Sequence, residues 1–375
     1  MQPPAPRVHS SLTNDIFGAA DSANAKMSCI KNGYYFDPLL AEFVRPSDSR
    51  PRLINRGYFA RLYTMLRCVA SFCKNLPGKK QIVFLGAGFD SYFLMLEKQL
   101  PGLHLWVDVD LPEVIEIKQH PYSKKFSAQQ QAVYKLAKGN LLNIQSIHKC
   151  LIDSGIDFNI PTLFILECVT AYIDSGKVRE LLAYIANPRE ALSKHALSSS
   201  VTSESATSSA TPSTTSVPTE VHSPSDEEPS ADSSLKPEDI AALPSRFPAM
   251  VIGYDPMSKE TDNFGRVMVQ NLRQRGITMP SLMAFPTCEA RTESLRTAGF
   301  SFAKTIDMKK AYNLIPQVEK QRIQTLEPLD EFEEFFLLLS HYCIWIGSNM
   351  IPENVGIEDE SLPTLAPPAI PKISH

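Results

Sequence analysis

An α/β fold built on a seven-stranded, doubly wound sheet is predicted by three observations. Short apolar runs alternate with stretches of helical spacing along the chain. The first run opens straight into a glycine turn, and the second ends on an acid. Seven strand-like runs can be counted, enough for a mostly parallel sheet with helices on both faces. In order, residues 81–85 read as a buried strand, and residues 89–100 have helical spacing that stops at Pro101-Gly102. Residues 104–109 form the next strand, and a helix starts over 112–118. Residues 132–137 and 162–166 are further strands, and 175–187 is helical. Residues 261–275 form an amphipathic helix ending at Gly276. Residues 249–254, 300–305 and 341–346 complete the strands, the last two separated by a long helical stretch over 307–339.

Composition bounds what such a fold could do. The chain has 375 residues, 43% hydrophobic and 21% charged, which is ordinary globular usage with enough apolar material for a sizeable core. The net charge of −4 offers no basic excess for a phosphate backbone, so nucleic acid is not the default partner. No apolar run approaches the ~18 residues of a membrane span, and the N-terminus lacks a signal-peptide core. The seven cysteines are scattered without a C-x-x-C pair, against a disulfide framework or a structural zinc site. A reducing compartment, cytoplasm or nucleus, is the expectation.

Composition also divides the chain. Residues 1–24 are short of large apolar side chains and are expected to be a disordered tail. Residues 195–240 read as a disordered insertion: from Ser198 to Ser234 the chain is mostly Ser and Thr, with four prolines and no aromatic residue. Such a stretch cannot bury enough surface to offset its ordering entropy. Residues 351–375 carry five prolines and read as an irregular tail. What remains, 25–350, suits a single domain.

The chemistry concentrates at the first two strand ends. Gly86-Ala87-Gly88-Phe89-Asp90-Ser91 follows the first strand, and glycines there let a backbone approach a ligand closely. Asp110, 24 residues after Gly86, ends the second strand where an acid can accept ribose hydroxyls. A nicotinamide dinucleotide is disfavoured. Its third glycine is replaced by Ser91, and Asp90 would repel a pyrophosphate at the helix N-terminus. S-adenosyl-L-methionine has no phosphate and carries a sulfonium cation, so an acidic loop suits it better.

Five strings carry a family resemblance: Gly33-Tyr34-Tyr35-Phe36-Asp37-Pro38, Ile54-Asn55-Arg56-Gly57-Tyr58-Phe59-Ala60-Arg61, Gly86-Ala87-Gly88-Phe89-Asp90, Leu166-Glu167-Cys168-Val169-Thr170-Ala171-Tyr172 and Asp262-Asn263-Phe264-Gly265-Arg266-Val267-Met268. In this order they resemble the leucine carboxyl methyltransferase family. The resemblance implies a Rossmann-like sheet of the class I methyltransferase type, with added N-terminal helices and helical lid elements. It implies methyl transfer from S-adenosyl-L-methionine to the α-carboxylate of the C-terminal leucine of the protein phosphatase 2A catalytic subunit, regulating assembly of the phosphatase holoenzyme. It also implies that Lys26 and Arg61 hold the cofactor carboxylate, that Gly86 and Leu141 touch the cofactor, that Asp110 takes the ribose and that Glu167 faces the ammonium. The family usually places an Asp where this chain has Asn140, at the adenine. Arg61 and Tyr172 would line the methyl-transfer end, with Tyr172 as a positioning residue. No metal is implied, and a monomer is expected.

Three rivals remain. A relative acting on a modified tRNA base would carry an extra β-propeller, and no repeat of ~40–50 residues follows Ile346. A non-catalytic phosphatase-binding scaffold is opposed by the intact Arg61, Gly86, Asp110 and Glu167. A nicotinamide oxidoreductase is opposed by Asp90 and Ser91.

Overall fold

The computed structural model describes residues 14–44, 49–205, 235–258, 262–274 and 277–350. Within them lies one seven-stranded sheet. Its strands are β1 (Lys80–Leu85), β2 (Leu103–Asp110), β3 (Tyr134–Lys138), β4 (Thr162–Glu167), β5 (Ala249–Pro256), β6 (Phe302–Asp307) and β7 (Tyr342–Ser348). The order is β3-β2-β1-β4-β5-β7-β6. The first five pair in parallel, whereas β7 runs antiparallel to both β5 and β6. The predicted doubly wound sheet is therefore present. Strand order reverses between β1 and β4, and ligands of open α/β sheets sit at that reversal, outside the carboxyl ends of the strands.

The two-residue period of a strand explains how one sheet feeds two cores. Ile82, Phe84, Trp106, Leu163 and Ile165 face one side, packed by Phe59, Tyr63 and Leu66 of the Arg52–Asn75 helix. Val83, Leu85, Val107, Phe164 and Leu166 face the other, covered by Ile147 and Leu151 and by Leu181 and Ile185. Every residue of β1, β4 and β5 is buried, which is why these strands read as unbroken apolar runs.

Several expectations change. The helix expected over 89–100 is only Tyr92–Leu96 plus a 3-10 turn, Glu97–Gln99. Residues before it are spent on the glycine turn, and the Ser91 hydroxyl donates to Asp37 at 2.6 Å, fixing where that turn ends. The third strand starts at Tyr134 rather than 132. A short helix, Ala128–Val133, precedes it behind a Ser127/Gln130 capping box. The stretch 307–339 is three helices, Met308–Asn313, Gln317–Leu326 and Phe332–Leu339, interrupted at Pro316 and Pro328. The N-terminal segment is helical from Asn14 to Lys31, inside the tail expected to be disordered through residue 24. Small residues misled the sequence reading: Ala23 joins Phe89 and Val114 in a buried cluster without a large apolar signature.

The insertion expected over 195–240 is helical at both ends, through Ser205 and again over Pro237–Ala242, where Ile240 is buried. Its remainder, 206–234, and the tail 351–375 lie outside the described residues.

The first part of the Asn55-to-Arg61 string is structural. Asn55 donates to Glu327 at 2.9 Å, and Arg56 donates to Gln324 at 2.7 Å and to the Glu327 carbonyl at 2.8 Å. These bonds lash the Arg52–Asn75 helix to the Gln317–Leu326 helix and aim the next turn, with Arg61, toward the strand ends.

Candidate active site

A cavity of about 720 Å³ opens at the C-terminal ends of β1, β2 and β4. Arg61, Gly86, Asp110 and Glu167 line it, as do Asn140, Leu141 and Tyr172. Lys26 does not line it but bonds Asp90 and Glu167, which do. The structure thus gathers all eight residues singled out in the sequence.

The glycine turn needs its glycine. Gly86 has φ +69°, and an added Cβ would lie 2.6 Å from Val169. The turn then feeds Asp110 directly. Gly88 N–H donates to one oxygen of that carboxylate at 2.7 Å and Leu111 N–H to the other at 2.8 Å. The two amides hold the carboxylate at the cavity wall with lone pairs to spare for hydroxyl donors. Burial raises its pKa, against those two amide bonds.

Glu167 is the centre of the charged cluster. Arg61 Nε donates to Oε1 at 2.5 Å, Lys26 Nζ donates to the same oxygen at 3.0 Å, and the Tyr92 hydroxyl donates to Oε2. Burial pushes the Glu167 carboxyl up, but Arg61 and Lys26 together outweigh it and hold it well below the usual range. Lys26 also bonds both oxygens of Asp90, at 2.6 and 2.7 Å, and burial pushes Asp90 the other way, upward. Asp90, weighed in the sequence only as a repulsive charge, is thus the partner that fixes Lys26. Tyr92 escaped the sequence reading because it sits one residue past the glycine turn in an apolar run.

Two cations and two carboxylates make this cluster electroneutral. An amino-acid end, itself one carboxylate and one ammonium, fits such a pocket without leaving a charge unpaired. Arg61 spends Nε on Glu167, and its guanidinium lies over Tyr58 at 5.3 Å and Tyr254 at 4.7 Å. The rest of its planar fork remains for an anion.

At the third strand end, Asn140 Oδ1 accepts from Leu142 N–H at 2.9 Å, and Asn140 N–H donates to Ser146 at 3.3 Å. The amide therefore first closes its own loop. An aspartate there would make the same bond. We expect Asn140→Asp to change the dissociation constant of S-adenosylhomocysteine by no more than about tenfold, ~1.4 kcal/mol. Asn140→Leu should weaken binding more than either, since it loses both the turn and an acceptor. Calorimetry on the three proteins at one pH decides; equal affinity for Leu and Asn would remove residue 140 from the adenine site.

The opposite half of the cavity is aromatic and apolar. Tyr58 and Tyr254 flank Arg61, and Tyr172, Tyr342, Met268 and Leu338 line the cavity as well. Tyr254 and Tyr342 stack at 5.4 Å. Burial pushes the Cys168 thiol up. Tyr172 is bonded to that thiol, and Cys168 raises its phenol although the residue is 41% exposed. Neither group is ionised at neutral pH.

An electroneutral charged cluster beside a strand-end acid with free lone pairs, on this strand order, suits a zwitterionic nucleoside bearing a sulfonium. The chain is an S-adenosylmethionine-dependent methyltransferase. Among known proteins, the model of the leucine carboxyl methyltransferase family, which the motifs resemble, matches residues 7–186. The leucine carboxyl methyltransferase 1 homolog of Arabidopsis thaliana is 28% identical over 90% of this chain and 88% of its own. Leucine carboxyl methyltransferase 1 of Bos taurus is 25% identical over 86% of each chain. The tRNA wybutosine-synthesizing protein 4 of Rattus norvegicus is 26% identical over 92% of this chain, which spans only 45% of that relative.

Proposed function

We propose that the chain methyl-esterifies the α-carboxylate of a C-terminal leucine, that of the protein phosphatase 2A catalytic subunit. The observation that carries this reading is the acceptor end of the cavity. It offers an arginine fork and apolar walls, while its thiol and phenols are held protonated. An acceptor hydroxyl or amine would have to shed a proton there. A peptide C-terminus, with a pKa near ~3.5, arrives already ionised. The bound cofactor supplies a methyl group on a sulfonium. The protein's own residues position. Asp110 accepts the ribose hydroxyls, the Lys26–Glu167–Arg61 cluster seats the amino-acid end, and Tyr172 closes the acceptor side. Alignment and exclusion of water supply the rate. Met268 and Leu338 give a branched apolar side chain a place to be buried.

The test is transfer of labelled methyl to purified phosphatase catalytic subunit. Amidating its terminus, or deleting the terminal leucine, is expected to abolish transfer. Free leucine is expected to be a poor acceptor, because remote contacts with the folded partner must align the tail. Label on an internal Asp or Glu that survives removal of the leucine would overturn the proposal. A tRNA acceptor is the second reading, favoured by the similarity to the Rattus norvegicus protein. The net charge of −4 offers it no electrostatic attraction. Transfer to tRNA in the same assay, and not to the phosphatase, would establish it.

A further inference from the structure

We propose that Asp255 is a positioning residue for methyl transfer: it anchors the turn after β4 to the sheet and thereby sets Tyr172 at the acceptor end of the cavity. Nothing in the sequence pointed to it. Asp255 sits near the end of β5 with no exposed surface, behind the cavity wall rather than in it. A fully buried carboxylate is costly unless donors surround it. Here Oδ2 accepts from the Thr170 hydroxyl at 2.7 Å and from Trp345 Nε1 at 2.9 Å, and Oδ1 accepts from Ala171 N–H at 3.2 Å. Arg291 Nη2 lies 3.4 Å from Oδ2.

The donors divide into two groups. Trp345 on β7 and Arg291 on the Cys288–Thr297 helix belong to the scaffold. Arg291 is clamped between Phe285 at 4.2 Å and Trp345 at 5.3 Å, and neither its Nε nor its Nη1 has a hydrogen-bond partner among the described residues. Among the described residues its ion pair is with Asp255. Thr170 and Ala171 belong instead to the 3-10 turn Thr170–Tyr172. That turn leaves Glu167 through Cys168 in a left-handed conformation, φ +57°, which a side chain rarely adopts. Only a structure that over-determines the turn can hold it there. The Cys168 N–H bond to the Tyr254 carbonyl at 2.6 Å supplies one hold and Asp255 supplies two more, while Ser281 N–H reaches the Ala171 carbonyl at 3.4 Å and the Ser281 hydroxyl donates to the Ile173 carbonyl just beyond. The same turn presents Val169 to Gly86 and Tyr172 to the acceptor space. Displacing it by an ångström would misalign the acceptor, while Asp110 and the Lys26–Glu167–Arg61 cluster keep their own hydrogen bonds.

The inference rests on the reading of this cavity as the methyl-transfer site. Asp255→Asn keeps the shape but turns an NH₂ toward groups that donate. Thr170→Val removes one hydroxyl from the turn at constant volume, and Thr170→Ser restores it. For both Asp255→Asn and Thr170→Val we expect hydrogen exchange of the segment 168–173 to quicken while β4 and β5 stay protected. We expect kcat to fall by about tenfold or more, with S-adenosylhomocysteine affinity within about twofold of wild type. Thr170→Ser should recover both exchange and kcat. Unchanged exchange at 168–173 in both variants would overturn the proposal whatever the acceptor is. So would a Thr170→Val protein that turns over like wild type, or a parallel fall in kcat and cofactor affinity. If wild-type protein fails to methylate the phosphatase, the acceptor assignment fails, and the exchange comparison still judges the anchor.

Discussion

Arg61→Ala is expected to lose at least ~10³-fold in kcat/KM, about 4 kcal/mol, with cofactor affinity falling alongside. The size follows from what the side chain joins. Its Nε bonds Glu167 at 2.5 Å in a site where both groups are buried, and its guanidinium is stacked between Tyr58 and Tyr254. Removing one partner of a buried, hydrogen-bonded pair costs several kcal/mol, because the other charge stays behind in a poor solvent. Glu167 would keep Lys26 and Tyr92, so the fold should survive with a lowered melting temperature. The fork offered to the cofactor or acceptor anion would be gone. Arg61→Lys should remain impaired, since an ammonium cannot make the planar two-point contact or the same stack. Calorimetry with S-adenosylhomocysteine checks the claim independently of the acceptor. Wild-type affinity in Arg61→Ala would remove this residue from the cofactor site.

Much of this arrangement was legible because it is local. β1, β4 and β5 are buried on both faces and so wrote themselves as continuous apolar runs. Gly86 and Asp110 sit at fixed distances from strand ends, where chain direction alone brings them together. What stayed hidden depends on groups distant in sequence. Tyr92 acquires its role only when β4 brings Glu167 to it, and Asp90 only when the Asn14–Lys31 helix brings Lys26, a helix itself disguised by small residues. Asp255 looks like an ordinary strand-end acid until β7 and the Cys288–Thr297 helix deliver Trp345 and Arg291. The three helices over 307–339 merged into one because apolar spacing continues across Pro316 and Pro328. Conversely, Asn55 and Arg56 were noticed as parts of a family string, yet their bonds to Glu327 and Gln324 are purely architectural.

Glu167→Gln is expected to discriminate between the two states of the cofactor. The cluster of Lys26, Arg61, Asp90 and Glu167 is electroneutral as built; the amide would leave it one positive charge in excess. S-adenosylmethionine carries a net positive charge from its sulfonium, whereas S-adenosylhomocysteine is a net-neutral zwitterion. The excess cation should repel the first and spare the second. Two unit charges several ångströms apart at an effective dielectric near 20 interact by about 2 kcal/mol. We therefore expect S-adenosylmethionine to lose about 30-fold more affinity than S-adenosylhomocysteine. Both should also suffer a common loss, because Gln cannot accept from Lys26, Arg61 and Tyr92 together. The effect should change little between low and moderate salt, since the cluster is buried and poorly screened. Acid should not reproduce it through Glu167, whose carboxyl Arg61 and Lys26 hold well below the usual range. Asp90 is the group that would, because burial pushes its carboxyl up to about 6 and its protonation leaves the same excess charge, so the comparison belongs above pH 7. Dissociation constants of both ligands for both proteins, measured by calorimetry, give the ratio directly. An equal loss for the two ligands would mean that Glu167 acts by hydrogen bonding alone and that its charge does not reach the sulfonium.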